Sequence, residues 1–361
     1  MKRHMSRRKR HMSRRKKTVI AVFVLIVLAV LSAVALRFFY RLERSHDIAP
    51  EGAGQALSRA GMQETHERLS EEGVLQEEAA PTIFYNGEEY VYNDRLTSLL
   101  IIGVDDSELA ETASVRNKSQ ADLILLAVFD PDTEKCTLLQ INRDTMGDFP
   151  MMSADGDYAG LTHGQLALSH TYGNGLESSC ENTVYAVSRF LYDVTIDNYF
   201  ALTMDAIPVL NDLVGGVSVK IEDNFAGVDD TLVQGETVKL TAENVENYVR
   251  ARMNMPDDPS NVGRMRRQRT YMRALFDALD SAASEDAGFV LDAYAAIAGS
   301  LVTDCSVDEL SDYADRFSGY SLSEIVTPEG ETVAGEQFME FHADEAALQK
   351  MVIDIFYAPA E

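Results

Sequence analysis

Six arginines fall within residues 250–269 of a chain whose formal net charge is −26. Guanidinium groups at that density repel one another unless an anion sits among them, and their forked donors match paired phosphate oxygens better than lysine does. The segment reads as an anion clamp, and its spacing says how the clamp is built. Arg250 and Arg252 are two apart, which puts them on different sides of a helix but on one side of an extended chain. A helix over 242–249 must therefore end near Arg250 if both grip one ligand. Residues 253–261, with two prolines and two aspartates, read as a surface loop. A new helix then starts near Gly263, with Arg264 and Gln268 at i and i+4 on one face. Below them the strip through Tyr271 and Leu275 turns apolar. Helix amino ends favour phosphate, so the pattern suits a ligand with an anionic head and a greasy tail, such as a lipid phosphate. A polar helix start above a core face explains Met272, Leu275, Phe276 and Leu279 equally well, but not Arg250, Arg252 and Arg264 together.

A second constellation lies earlier. Strands are expected over 98–104, 123–129 and 136–141, and the tight turn sequence 130–134 makes the last two antiparallel neighbours. Asp105 follows the first strand, Asp122 precedes the second and Arg143 follows the third. If the first strand also runs antiparallel to the second, all three groups meet on one sheet edge. Two carboxylates and a guanidinium at a common edge make a site.

The elements that must position these residues follow an α/β pattern. Helices are expected over 182–192 and 206–214, and strands over 196–203 and over 217–221 behind Gly215-Gly216. Ser306-x-x-Glu309 is a capping box, and 344–357 forms a last amphipathic helix. The economical arrangement is a mixed sheet with helices on both faces and no internal boundary between about 95 and 358. Ahead of it, 83–85 and 90–92 flank Asn86-Gly87 as a hairpin with a type I′ turn.

Composition fixes the setting. At 361 residues and 46% hydrophobic content the chain can bury one large core or two modest ones. Residues 1–17 hold ten Lys or Arg and no acid, leaving 22 basic against 58 acidic groups and a net −36 beyond them. Residues 18–36 are uncharged and long enough to cross a bilayer. Basic before apolar predicts a cytoplasmic N-terminal tail, a single uncleaved anchor and everything after Arg37 outside the cell; a cleaved signal peptide ending near Ala33-Val34-Ala35 is the rival reading. Residues 37–94 then form a stalk and the short hairpin. An external domain of charge −36 argues against nucleic acid. Cys136, Cys180 and Cys305 are too few and scattered for a disulfide scaffold or a zinc site, and read as packed thiols. His163 and His170 fall in a Gly-rich stretch without a convincing partner carboxylate and read as loop or core histidines.

These residues together resemble the LytR-CpsA-Psr family of cell-wall glycopolymer ligases. The resemblance rests on Gly103-Val104-Asp105, Ala121-Asp122, Asn142-Arg143-Asp144-Thr145, Leu213-Val214-Gly215-Gly216-Val217, Tyr248-Val249-Arg250-Ala251-Arg252 and Gly263-Arg264-x-x-Arg267-Gln268. The six motifs stand in the family's order over about 95–358. The resemblance implies an α/β/α sandwich around a central mixed β-sheet, preceded by a single transmembrane helix. It implies a membrane-anchored phosphotransferase that moves a glycopolymer, such as teichoic acid or capsule, from a polyprenyl-pyrophosphate carrier to peptidoglycan with Mg2+. Carried over by position, Asp105 and Asp122 would hold the metal, while Arg143, Arg250, Arg252 and Arg264 would bind pyrophosphate and serve catalysis. Gln268 would touch the lipid-side phosphate, and Arg267 would join the substrate contacts. Two substrate-side positions depart from the family: Gln120, where Arg is frequent, and Asn261, where Asp is common. The second removes a carboxylate near the acceptor and leaves the general base unassigned.

The chemistry needs no Ser, Cys or His nucleophile, because phosphoryl transfer runs on positioning and electrostatics. Two rivals keep the same residues: a Mg2+-dependent pyrophosphatase of lipid-linked substrates, with water as acceptor, and a non-catalytic envelope or regulatory protein whose arginines only bind polyanions.

Overall fold

A computed structural model describes residues 82–360 except 107–115, 154–157, 286–288, 290–294, 307–308, 310–311, 314–315 and 318–319. The tail, the anchor over 18–36 and the stalk up to residue 81 lie outside the described residues. No helix among the described residues is long and apolar enough to cross a membrane.

Strands β1 (Thr82–Tyr85) and β2 (Glu88–Tyr92) form the expected hairpin, with φ of 51° at Asn86 and 86° at Gly87 as a type I′ turn requires. Strands β3 (Thr97–Val104), β4 (Ala121–Asp130) and β5 (Lys135–Ile141) pair antiparallel in sequence, each slightly longer than its apolar run suggests. Strands β6 (Met146–Met152) and β7 (Tyr158–Gln165) form a long hairpin over a stretch for which no element is expected from the sequence. Gly147 marks close packing there: a Cβ on it would lie 2.8 Å from the Leu166 side chain. Helix α1 (Glu177–Phe190) begins well ahead of residue 182. Its polar first turn hides it from an apolar count; Ser178 and Ser179 hydroxyls accept from the Asn174 and Gly175 amides, each at 2.9 Å, and so start the helix.

Strand β8 (Asn198–Thr203), helix α2 (Ala206–Leu213) and the small ladder of β9 (Ser218–Lys220) with β10 (Thr237–Lys239) follow. Helix α3 (Val245–Arg250) then ends at the arginine that the spacing requires, and α4 (Asn261–Glu285) carries the rest of the arginine segment. Strands β11 (Leu301–Thr303), β12 (Ser321–Val326), β13 (Gly330–Ala334) and β14 (Met339–Ala343), helix α5 (Glu345–Phe356) and β15 (Tyr357–Pro359) complete the chain. The expected capping box forms, and the last helix has a cap of its own. Ser306 and Glu309 exchange hydrogen bonds at 2.8 and 3.3 Å, and Asp344 accepts from the Ala347 amide at 2.9 Å.

The central sheet is mixed, in the order β11-β8-β3-β4-β5-β12, with β8 parallel to β3 and β12 parallel to β5. Side chains alternate across it. Leu100, Ile102, Ile124, Leu126 and Leu139 face Ala186 and Val187 of α1 and Leu348, Val352 and Phe356 of α5. Leu99, Leu125, Ala127 and Leu138 face the other way, toward Ala206 of α2 and Met272 and Phe276 of α4. Because β3 and β8 run one way and β4 the other, the carboxyl ends of β3, β5 and β8 and the amino end of β4 share one edge. A bulge between Gly103 and Val104 shapes that edge, and the Asp105 amide donates to the Gln120 carbonyl at 2.8 Å.

The Gly215-Gly216 turn, with φ of 70° and 93°, carries the chain from α2 into β9. A Cβ on Gly216 would lie 2.6 Å from the Leu240 carbonyl oxygen, a backbone atom that cannot step aside. Gly216→Ala is therefore expected to lower unfolding free energy by about 1–3 kcal/mol, the scale of one strained backbone position; urea denaturation reads it, and an unchanged midpoint would contradict it.

Candidate active site

At the shared edge, Asp122 is 8% exposed and sits between two guanidinium groups. Arg264 Nη1 donates to Asp122 Oδ2 at 2.9 Å, and Arg143 Nη1 contacts Oδ1. Gln120 accepts from Arg143 Nη2 and holds that side chain from behind. Asp144, almost fully buried, is a second anchor. Arg252 grips it with two nitrogens at 2.7 and 3.4 Å, Gln165 donates to it at 3.1 Å, and Arg143 Nε lies 3.5 Å away. Arg250 is more open: Nη2 meets Asp105 Oδ1 at 2.5 Å, and Nη1 meets Glu246 one helical turn back. The edge thus brings together Asp105, Asp122, Arg143, Arg250, Arg252 and Arg264.

The carboxylates do not satisfy the cluster. Arg143 Nε, Arg252 Nε, and Arg264 Nε and Nη2 are buried without a hydrogen-bond partner. A buried unsatisfied polar group costs on the order of 1–3 kcal/mol, and more when charged, so four in one place signal a missing acceptor. Burial, reinforced by the neighbouring Arg264, pushes Arg143 down to about 10, and burial with Arg252 does the same for Arg264. Both remain cationic at neutral pH. An anion between them would relieve part of that penalty.

Behind the cluster an apolar cavity of about 180 Å³ runs between the sheet and α4. That is far more than the ~10–15 Å³ needed to hold one water, so it is no packing flaw. Asp122, Arg250, Arg264 and Gln268 stand at its polar end, and side chains such as Ile101, Leu210, Leu275, Phe276 and Leu279 line the rest. Gln268 is fixed by the Gln140 amide at 3.0 Å. The Tyr271 and Thr203 hydroxyls, buried and unpartnered, also face this region. On the outer side a polar opening of about 440 Å³ is lined by Arg143, Glu246, Arg250, Arg252, Met253 and Arg264 among others. Anion-binding donors therefore separate a greasy cavity from an open mouth.

Residues 61–352 match the LytR_cpsA_psr family model. The chain belongs to that family. Among curated relatives, the polyisoprenyl-teichoic acid–peptidoglycan teichoic acid transferase TagU of Halalkalibacterium halodurans is 28% identical over 62% of this chain, which spans 65% of that relative's length. The fold is also that of Bacillus subtilis TagV, with a TM-score of 0.52 at 21% identity over 73% of this chain and 97% of the other. A structure of TagT bound to LIIa-WTA gives a TM-score of 0.52 at 19% identity over 73% and 90%.

As a LytR-CpsA-Psr protein, the chain departs from its own arginine pattern in one instructive place. Arg267 does not turn to the cluster. Its Nε donates to the Tyr248 carbonyl at 3.0 Å, Nη1 to Asp223 at 2.9 Å and Nη2 to the Ala251 carbonyl, and its guanidinium lies over the Phe225 ring. Every nitrogen is spent on protein, so the structure places Arg267 as a strut joining α4 to the end of α3 rather than as a substrate contact. It holds the extended Arg250-Ala251-Arg252 step in place. Gln120 and Asn261 also act through neighbours, Gln120 on Arg143 and Asn261 on Asn142, to which its amide donates at 2.6 Å. Asn261 Oδ1 is left buried and unpartnered. His163 does have a carboxylate partner, Asp148 at 2.7 Å, but on the exposed β6–β7 hairpin. His170 is buried, and burial lowers its pKa. All three cysteines are free and buried.

Three residues that bear on the site carried no assigned role in the sequence. Asp144 and Asn142 flank Arg143 in a motif that was visible; Gln165 had no signal, because β7 reads as loop. For a metal, the donors at hand are the oxygens of Asp105 and Asp122, a hard set suited to Mg2+. Both Asp122 oxygens already face guanidinium groups, Oδ1 Arg143 and Oδ2 Arg264, so an ion there would share them with the arginines. No cluster of three or more His, Cys, Asp or Glu that could hold a metal occurs among the described residues, so a bound ion would need further oxygens from substrate or water.

Arg267→Met would leave two backbone carbonyls unpaired and Asp223 with Arg266 as its remaining partner. The expected cost is about 3–5 kcal/mol, as for a broken buried ion pair; a urea midpoint within error of the parent would contradict the strut.

Proposed function

We propose that this chain is a membrane-anchored, extracellular phosphotransferase that moves a glycopolymer from a polyprenyl-pyrophosphate carrier to a peptidoglycan hydroxyl. The observation that carries the reading is the placement of unsatisfied, buried guanidinium donors between an apolar cavity and an open polar mouth. A polyprenyl chain fits the cavity, its pyrophosphate the donors, and the glycan the mouth. The names of the relatives support teichoic acid as the cargo class, and the basic and apolar N-terminal residues support an anchor with the α/β/α domain outside.

In this reading the acceptor oxygen attacks the sugar-side phosphorus, and the bond from that phosphorus to the bridging oxygen breaks. The lipid leaves as its monophosphate. Arg264, at the polar end of the cavity, and Gln268 bind the lipid-side phosphate. Arg143 and Arg252, held by Gln120 and Asp144, face the sugar-side phosphate, and Arg250 joins the mouth to Asp105. Mg2+ at Asp105 and Asp122 supplies charge neutralisation of pyrophosphate oxygens when bound.

The full chain in detergent, given labelled lipid-linked glycan with and without peptidoglycan oligomers, tests the proposal. Transfer of label to the oligomer is expected, with Arg252→Lys slower by roughly 100-fold, the cost of losing one well-placed donor pair. Release of free glycan phosphate at a rate indifferent to acceptor would establish the hydrolase instead; binding without turnover would leave a polyanion-binding protein.

A further inference from the structure

Among the described residues, Glu246 is the single carboxylate that lines the polar mouth, beside Arg143, Arg250, Arg252 and Arg264. It lies on α3, and its side chain is 45% exposed, open to anything entering from outside. The other acids near the site are committed. Asp144 is enclosed by Arg252 and Gln165, Asp122 is wedged between Arg143 and Arg264, and Asp105 meets Arg250 on the strand side. Asp258 accepts from Ser260 and packs against Gly263, where a Cβ would lie 2.3 Å from its Oδ2. Position 261 offers an amide, which cannot take a proton. None of the three described histidines lines the mouth: His163 pairs with Asp148 on its hairpin, His170 is buried, and His342 pairs with Glu340 on β14.

We propose that Glu246 is the general base of the transfer, accepting the proton of the acceptor sugar hydroxyl. The proposal rests on the phosphotransferase reading. The hydroxyl proton passes to the Glu246 carboxylate as the acceptor oxygen bonds to the sugar-side phosphorus. The bond from phosphorus to the bridging oxygen breaks, and its electron pair leaves with the lipid phosphate, which the arginines hold. Arg250 spans both halves of the site, with Nη2 on Asp105 and Nη1 on Glu246. It keeps the base at the mouth beside the pyrophosphate. Other charged groups around Glu246 are Arg143, Arg252 and Arg264 across the opening, and Asp229, which accepts from the adjacent Asn247 at 2.9 Å.

The test compares the full-length parent with Glu246→Gln and Glu246→Ala in the labelled-glycan assay. Glu246→Gln keeps the shape and an oxygen for Arg250. It should lower kcat by about 100-fold or more, the usual worth of a general base, leave KM for the lipid-linked glycan within a few-fold of the parent, and remove the fall in rate toward acidic pH. Added formate should restore part of the Glu246→Ala rate. A parent-like kcat and pH profile in Glu246→Gln would overturn the proposal, as would a loss confined to KM, which would make Glu246 only a brace for Arg250. If the parent merely hydrolyses its substrate, the transfer reading falls, yet kcat for hydrolysis still judges Glu246, since water must lose a proton to the same base.

Discussion

The structure depends on an imbalance of buried charge. Asp122 and Asp144 gather Arg143, Arg252 and Arg264, all largely removed from water, close enough that Arg143 and Arg264 are each disfavoured by their cationic neighbours. Two carboxylates hold the three cations in place but do not satisfy them. Folding therefore stores an electrostatic deficit that only an incoming anion can relieve, and stability is traded for a preorganised site.

Much of the remaining architecture serves to hold that deficit in register. The mixed sheet brings the ends of β3, β4, β5 and β8 to one edge, and the bulge after Gly103 sets Asp105 beside Gln120. Helix α3 stops at Arg250, which lets Arg250 and Arg252 project from one extended step. Arg267 ties that step to α4 through the Tyr248 and Ala251 carbonyls, while Gly263 allows the loop carboxylate of Asp258 to pack against the first turn of α4. The same helix carries Arg264 at the cluster and Leu275, Phe276 and Leu279 along the cavity. One element thus binds head and tail of an amphipathic ligand.

The central strands, the shared edge and the break at Arg250 were legible because each follows from a local rule: a short continuous apolar run, a tight turn, a two-residue spacing. Arg264, Gln268 and Leu275 were legible from helical periodicity in the same way. Arg267 was not, since an arginine that braces backbone carbonyls and one that awaits phosphate are identical in sequence; only the partners at Asp223, Tyr248 and Ala251 distinguish them. Asp144 stood in a visible motif, but its role as the hub for Arg252 and Gln165 depends on the β6–β7 hairpin, which packs closely at Gly147 and gives no alternation to read. The parallel pairing of β12 with β5 links residues nearly two hundred positions apart, beyond any local pattern. Glu246 carried no signal in the sequence, and only its place at the mouth singles it out.

The central claim is that one ligand must satisfy the guanidinium cluster and fill the cavity together. The most direct measurement is calorimetric titration of the full chain with farnesyl pyrophosphate, inorganic pyrophosphate and farnesol in the presence of Mg2+. The account predicts that farnesyl pyrophosphate binds at least about 100-fold more tightly than either half, a coupling of roughly 2.7 kcal/mol. Equal affinity for farnesyl and inorganic pyrophosphate would contradict it, because the cavity would then contribute nothing to the anion the arginines await.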